Sequence, residues 1–252
     1  MALGLEPRAA CLHPPSMNEP VQHRDPLHES WTRLEGLLRV YLPGWRVAPA
    51  DGFSGGRIRR IPVCCGDGEV YADAFEIRAP RSGIGNIPTD LWPHQLCLAV
   101  CFRLRMLGWW GELRWPGEIV VDSTPVGWVR WGMNPEHLWC RVEVRLTRNR
   151  GSRIPPAALA GAAALDDDSL SLSLVQSVIR VLESPWPPAR MLNYYREWCT
   201  TLGTKVAGID PAGAPFEGIA AGVTPNGWLT VERPGGSLVQ LPPPMEADFG
   251  NR

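Results

Sequence analysis

From Leu138 to Thr147 apolar and polar side chains alternate without a break. Leu138, Cys140, Val142, Val144 and Leu146 fall on one side of an extended chain, and Trp139, Arg141, Glu143, Arg145 and Thr147 on the other. Such a strand belongs in a sheet with one face covered. The cover must come from segments of helical period. Residues 91–107 supply one, with Leu96, Ala99, Val100, Leu104 and Leu107 as its stripe and Gly108 as its stop. A second follows Asp166, Asp167 and Asp168, whose charges suit a helix start, and runs to Glu183 with Leu174, Val178, Val181 and Leu182 inward. A third spans 189–202, where Met191, Tyr195, Trp198 and Leu202 recur and Gly203 closes.

The rest of the chain fits this α/β (α+β) plan of a mixed sheet flanked by helices. Residues 1–25 read as a flexible N-terminal tail, and 27–42 as a helix carrying Trp31, Leu34, Leu38 and Tyr41. Strands are expected at 45–48, 57–64 and 69–78, with a Gly66-Asp67-Gly68 turn between the last two. Two more are expected at 112–121 and 126–131, and residues 148–168 form a loop. After Gly203 the character changes. Short strands at 206–209, 216–223, 228–232 and 237–241, separated by tight turns, indicate a small β-barrel. The expected division is a tail (1–25), a larger domain (26–202) and a small domain (203–252).

The net charge of −1 gives no global field to recruit nucleic acid or a membrane surface. The longest apolar stretch, Leu96 to Leu107, contains Arg103 and Arg105 and is too short to span a bilayer. No secretion signal is visible, and seven cysteines without C-x-x-C spacing suit a reducing cytoplasm. Cys97 and Cys101 read as core residues. Of the 25 basic residues only Lys205 is a lysine. Histidines 94 and 137 are expected as capping or surface groups. The 12 tryptophans, among them Trp109, Trp110, Trp128, Trp131 and Trp139 around the sheet, suit packing or an apolar pocket for an acyl tail.

Four segments together resemble the biotin/lipoate protein ligase family. YREWCTTLGTKV (195–206) followed by FEGIAAGVTPNGWLTVERPGGSLVQL (216–241) is similar to the small C-terminal, SH3-like domain of biotin protein ligases, with Gly218, Ala220, Gly222, Gly227 and Leu229 at the positions of a G-x-A-x-G-I-D-x-x-G-x-L pattern. LRWPGEIVVDSTPVGWV (113–129) resembles the K-W-P-N-D segment and the G-R-K-x-A-G segment after it. GGRIRRIPVCCGDGEVYADAFEIRAP (55–80) resembles the G-R-G-R-x-G-R nucleotide loop and its following strand. HESWTRLEGLL, upstream, resembles the D-S-T-N helix start through Ser30 and Thr32. No winged-helix segment precedes residue 27, which argues against a DNA-binding repressor form.

That resemblance implies ATP, biotin and Mg2+ as ligands, biotinyl-adenylate as intermediate and the lysine of a biotin carboxyl carrier-type domain as acceptor. Guanidinium forks suit the phosphates and the developing charge. Arg57, Arg59 and Arg114 are therefore the catalytic candidates. Gly56, Arg57, Arg59, Arg60, Trp115, Glu118, Ser30 and Gly127 are the binding candidates. The plain alternatives are a solvated basic strand edge for the arginines and a core position for Trp115. The departures are several. Ile58 and Ile61 replace loop glycines, and a β-branched residue does not adopt positive φ cheaply. Gly117 and Glu118 replace Asn and Asp. Pro125 stands about where the family places a lysine, and Arg130 is the nearest replacement for its charge. The rival reading is a non-catalytic relative that binds a small acid, a nucleotide or a partner protein.

Overall fold

The computed structural model describes residues 45–47, 56–65, 70–145, 167–210 and 212–245. The N-terminal tail, the helix expected at 27–42 with Ser30, the Gly66–Gly68 turn and most of the loop expected at 148–168 lie outside the described residues. The elements are β1 (Trp45–Val47), β2 (Gly56–Cys65), β3 (Val70–Pro80), two 3-10 turns, α1 (Trp92–Met106), β4 (Gly111–Arg114), β5 (Glu118–Val121), β6 (Thr124–Met133), β7 (His137–Arg145), α2 (Asp167–Glu183), α3 (Pro188–Trp198), β8 (Lys205–Ile209), β9 (Pro215–Val223), β10 (Leu229–Glu232) and β11 (Leu238–Leu241).

The first seven strands form one mixed sheet in the order β1-β2-β3-β7-β6-β5-β4. Only β1 and β2 run parallel; every other neighbour is antiparallel. The alternation that opens the sequence argument sets its two faces. Phe75, Ile77 and Ala79 of β3, Leu138, Cys140, Val142 and Val144 of β7, Val129 and Trp131 of β6, and Ile119 and Val121 of β5 all enter the main core. The helices cover that face. α1 is buried along its first ten residues, Trp92 to Cys101, because it lies between the sheet and the other two helices. Ser177 of α2 donates to the Ala99 carbonyl at 2.8 Å, and Gln95 bonds both the carbonyl and the N–H of Trp186.

The strand expected at 112–121 is two strands. Trp115, Pro116 and Gly117 form a turn, so β4 folds back on β5 with Arg114 opposite Glu118. Proline cannot donate to a ladder, and here it ends one strand before the next begins. β5 returns to β6 through Asp122 and Ser123, at φ 47° and 65°. Two left-handed central residues are what a two-residue hairpin with a primed turn requires.

β8 to β11 make a second, four-stranded antiparallel sheet in the order β11-β10-β9-β8. All four strands expected there are present. They stand as an open meander with β8 and β11 at its edges, and no pairing between those two closes a barrel. The sheet is fastened to the main body. Thr200 donates its N–H to the Leu113 carbonyl at 2.7 Å, Trp115 donates its N–H to Thr201 Oγ1 at 2.8 Å, and Arg196 Nη2 donates to the Val223 carbonyl at 2.7 Å. His94 is a correction to the sequence expectation. It is fully buried, and Nε2 donates to the Gly227 carbonyl at 2.7 Å. Beside it Trp228 Nε1 donates to Asp90 Oδ2 at 2.7 Å. An apolar stretch of helix left no sign that a turn 133 residues away needed a donor. No helix among the described residues is long and apolar enough to cross a membrane.

Candidate functional site

The face of the large sheet opposite α1, α2 and α3 carries charged residues. Its rows follow from the register. Arg59 of β2 stands opposite Glu76 of β3, Glu76 opposite Arg141 of β7, and Arg141 opposite Arg130 of β6. One step along, Glu143 of β7 stands opposite Trp128 of β6, Trp128 opposite Glu118 of β5, and Glu118 opposite Arg114 of β4. Like charges facing across a sheet repel, and acidic neighbours on the same face relieve this. Arg78 Nε donates to Glu76 Oε1 at 2.8 Å and Arg114 Nη1 to Glu118 Oε2 at 2.6 Å, and Arg141 Nε stands in ion-pair contact with Glu143 Oε1 at 2.8 Å. Glu76 is 4% exposed, so its charge is held within the protein and not in solvent.

The candidates fall at two ends of this face. Gly56, Arg57, Arg59 and Arg60 lie on β2, with Gly56 paired to Trp45 of β1. They form a regular strand and not a glycine loop, as the isoleucines at 58 and 61 require. Arg114, Trp115 and Glu118 lie at the β4–β5 turn. Between β2 and β4 the sheet takes five strand steps, roughly 24 Å if laid flat. The register joins β2 to Glu76, Arg141 and Arg130 before it reaches the turn. Gly127 lies on β6 against Val144, and a Cβ there would stand 2.2 Å from the Glu143 carbonyl oxygen. Close approach of β6 and β7 is the local reason for that glycine.

A groove of about 260 Å³ opens beside the turn. It is lined by Pro116 and Gly117 at the turn, Trp128 to Trp131 of β6, and Pro243 and Pro244 after β11. Val129 donates its N–H to the Gly117 carbonyl at 2.8 Å. Strand alternation therefore directs the N–H and C=O of Trp131 to the same side, where β5 no longer runs alongside. The groove thus offers apolar rings, a strand edge and the Arg130 position. Gly117 cannot carry a larger side chain, since a Cβ would sit 2.4 Å from the Val129 carbonyl oxygen.

The turn itself is tightly held. Trp115 packs against the core, and its Nε1 is buried without a partner. Glu118 is already neutralised by Arg114. Among the described residues no group of three or more His, Cys, Asp or Glu is arranged to hold a metal ion. The described side chains therefore do not fit a directly held divalent cation. Pro125 is exposed and stands opposite Val120, so no amine occupies that hairpin. Lys205 is exposed and paired with Glu217 on the second sheet. Of the sheet tryptophans, Trp131 and Trp139 are buried, Trp128 and Trp131 line the groove, and Trp110 is 65% exposed with Arg105 4.4 Å from its ring.

Glu76, Arg78, Arg141 and Glu143 were not singled out from the sequence as site residues. The alternation did place Arg141 and Glu143 on the polar face. Only the register shows that they lie between the two candidate clusters.

No protein-family model matches this sequence, and no curated protein matches it. The fold does have solved counterparts. A biotin protein ligase from Aquifex aeolicus superimposes with a TM-score of 0.58 at 12% identity, covering 82% of this chain and 90% of that one. A biotin protein ligase-like protein of unknown function from a Silicibacter species gives 0.56 at 13% identity, covering 79% and 93%. The biotin acetyl coenzyme A carboxylase synthetase from Helicobacter pylori, solved with biotinylated ATP, gives 0.53 at 14% identity, covering 84% and 93%. The mixed sheet flanked by helices is the fold of the biotin protein ligases.

Proposed function

We propose that this chain is a biotin protein ligase-like protein that binds a small carboxylic acid, biotin first, on the face of the large sheet opposite α1, α2 and α3, and activates it with ATP. The observation that carries the reading is the row of arginine positions along that face, Arg59, Arg141 and Arg130, running toward the groove beside Trp115. Guanidinium groups pair with carboxylate and phosphate through parallel N–H donors. In the proposed reaction a carboxylate oxygen of the acid attacks the α-phosphorus of ATP. The bond to the bridging oxygen breaks, and pyrophosphate leaves with that electron pair. The amine of a carrier-domain lysine then attacks the acyl carbon, AMP departs, and the amine loses one proton. The arginines would stabilise charge on the phosphoryl group. Mg2+ would be carried by the triphosphate.

A second reading has its own support. No lysine stands near the groove, Glu118 is occupied by Arg114, and β2 is a strand with no phosphate-cradling loop. These features favour a relative that binds the acid or a partner without adenylation.

Calorimetry with biotin and with ATP, combined with a pyrophosphate-release assay, separates the two. Biotin binding with pyrophosphate release supports the ligase. Biotin binding without release supports the binding protein. Absence of binding by both ligands removes both. Arg59→Ala is expected to abolish most adenylation, and an unchanged rate would remove β2 from the site.

A further inference from the structure

β4 is the last strand of the large sheet, so the backbone groups along its outer side need partners from beyond the ladder. The segment that leaves α3 supplies them. Cys199 forms a single parallel bridge with Leu113, and the Leu113 carbonyl accepts the Thr200 N–H at 2.7 Å and Thr200 Oγ1 at 3.0 Å. Two residues further on, the next outward group is the Trp115 N–H. Its acceptor is a side chain, Thr201 Oγ1, at 2.8 Å. Thr201 is 5% exposed, so water has little access to take the place of that hydroxyl.

Trp115 opens the turn whose next two residues, Pro116 and Gly117, line the groove. Pro116 has no N–H to anchor, and the Gly117 carbonyl is already held by the Val129 N–H of β6 at 2.8 Å. The turn is thus gripped from two sides, by β6 through Gly117 and by the Thr201 hydroxyl through Trp115. Behind Thr201 the bonds continue into the second sheet. Its carbonyl accepts the Thr204 N–H at 3.1 Å and Thr204 Oγ1 at 2.6 Å, and the Thr204 carbonyl accepts the Ala220 N–H of β9 at 2.9 Å. We propose that Thr201 is a positioning residue for the groove: its hydroxyl sets the place of the Trp115–Gly117 turn, and through it the second sheet shapes the cleft in which the acid is bound. The inference rests on the acid-binding reading given above. It adds a residue that does not line the groove and that the reading does not use.

The test is calorimetric titration with biotin of the full chain, of Thr201→Val and of Thr201→Ser, beside amide hydrogen exchange of peptides covering 113–119 and 138–145. Valine removes the acceptor and leaves the Trp115 N–H buried without a partner, whereas serine keeps the oxygen. Thr201→Val is expected to weaken biotin binding about tenfold and to speed exchange within 113–119 by a similar factor, with 138–145 unchanged. Thr201→Ser is expected to stay within about threefold of the wild type in both measurements. A residue with only a structural role would lower thermal stability and leave the biotin affinity of the folded protein unaltered. That result overturns the proposal, as does a serine variant as impaired as the valine one, or exchange that rises equally in both peptides. If Thr201→Val does not fold, Thr204→Val, which removes only the hydroxyl bond behind Thr201, is expected to weaken biotin binding about threefold, and unchanged affinity overturns the proposal. If none of the proteins binds biotin, the acid-ligand reading fails. Faster exchange confined to 113–119 in Thr201→Val and reversed by serine would then still uphold Thr201 as the holder of the turn, and unaltered exchange would sink both.

Discussion

His94 and Gly227 meet through one hydrogen bond that leaves no room for a side chain: Nε2 donates to the Gly227 carbonyl at 2.7 Å, and a Cβ on Gly227 would stand 2.6 Å from that same nitrogen. Gly227 also sits at φ +86°. The start of α1 and the turn between β9 and β10 are therefore held together at a point where only glycine fits.

Gly227→Ala carries two penalties, and Gly235→Ala carries one. Gly235 has φ +96° with no atom within 4 Å of its virtual Cβ, so alanine there suffers only the left-handed backbone cost, about 1–2 kcal/mol. Gly227→Ala adds a clash with a ring that is buried and cannot swing away. Urea unfolding midpoints are expected to fall further for Gly227→Ala than for Gly235→Ala.

Acid is expected to loosen the same contact. Burial lowers the His94 imidazole from 6.5 to about 4, opposed in part by its bond to Gly227 and by Asp90. An unfolded chain takes up the proton at the ordinary value, so between about 4 and 6.5 the unfolded state binds more protons. Stability from this group is complete above about pH 6.5 and declines toward pH 4 by roughly 3 kcal/mol at most. His94→Gln keeps a donor for Gly227 and removes the titration. Unfolding free energies measured from pH 7 to pH 4.5 should fall less steeply in the variant than in the wild type.

Arg114 and Glu118 should behave as a coupled pair. Their side chains are 44% and 11% exposed, so solvent screens the arginine end more than the carboxylate. Arg114→Ala is expected to cost about 1 kcal/mol, because the less exposed carboxylate loses its donor. The same change made beside Glu118→Gln should cost less. A double-mutant cycle read by denaturant unfolding gives the coupling, and additive effects would mean that the pair is only a surface contact.

The buried thiols should be unreactive in the native protein. Burial pushes the Cys97, Cys101 and Cys140 thiols well above their ordinary value, and the thiolate is the reactive species. Peptide mapping after brief alkylation at pH 8 is expected to find these three unmodified until denaturant is added. Rapid native labelling of Cys97 would contradict the packing of α1 on the sheet.

The main elements could be read from local pattern because local pattern caused them. The alternation that begins at Leu138 lies on β7 as far as Arg145, and the stripes of α1, α2 and α3 face the core they implied. Where side chains from distant segments decide the outcome, periodicity gave no access. His94 looked like an end-of-helix residue because its acceptor lies in the second sheet. Trp115–Gly117 reads as the middle of an apolar run, yet the proline there breaks the ladder. The site follows the same rule. Arg114 and Glu118 stand about 13 Å apart on the single strand expected at 112–121, and they meet only because the chain turns between them. Arg59, Glu76 and Arg141 fall into one row only once strand order and antiparallel register are known, and strand order cannot be deduced from one strand's composition.

The three prolines that follow β11, Pro242 to Pro244, have a consequence for the groove they border. An imino acid has no hydrogen to give, so the terminal segment can shelter the outer margin of β6 without zipping onto it. Two of the residues that line the hollow, Pro243 and Pro244, thus have no N–H to offer the strand. Pro243→Ala is expected to restore a backbone donor and let the segment fasten to the strand, shutting the cleft from within.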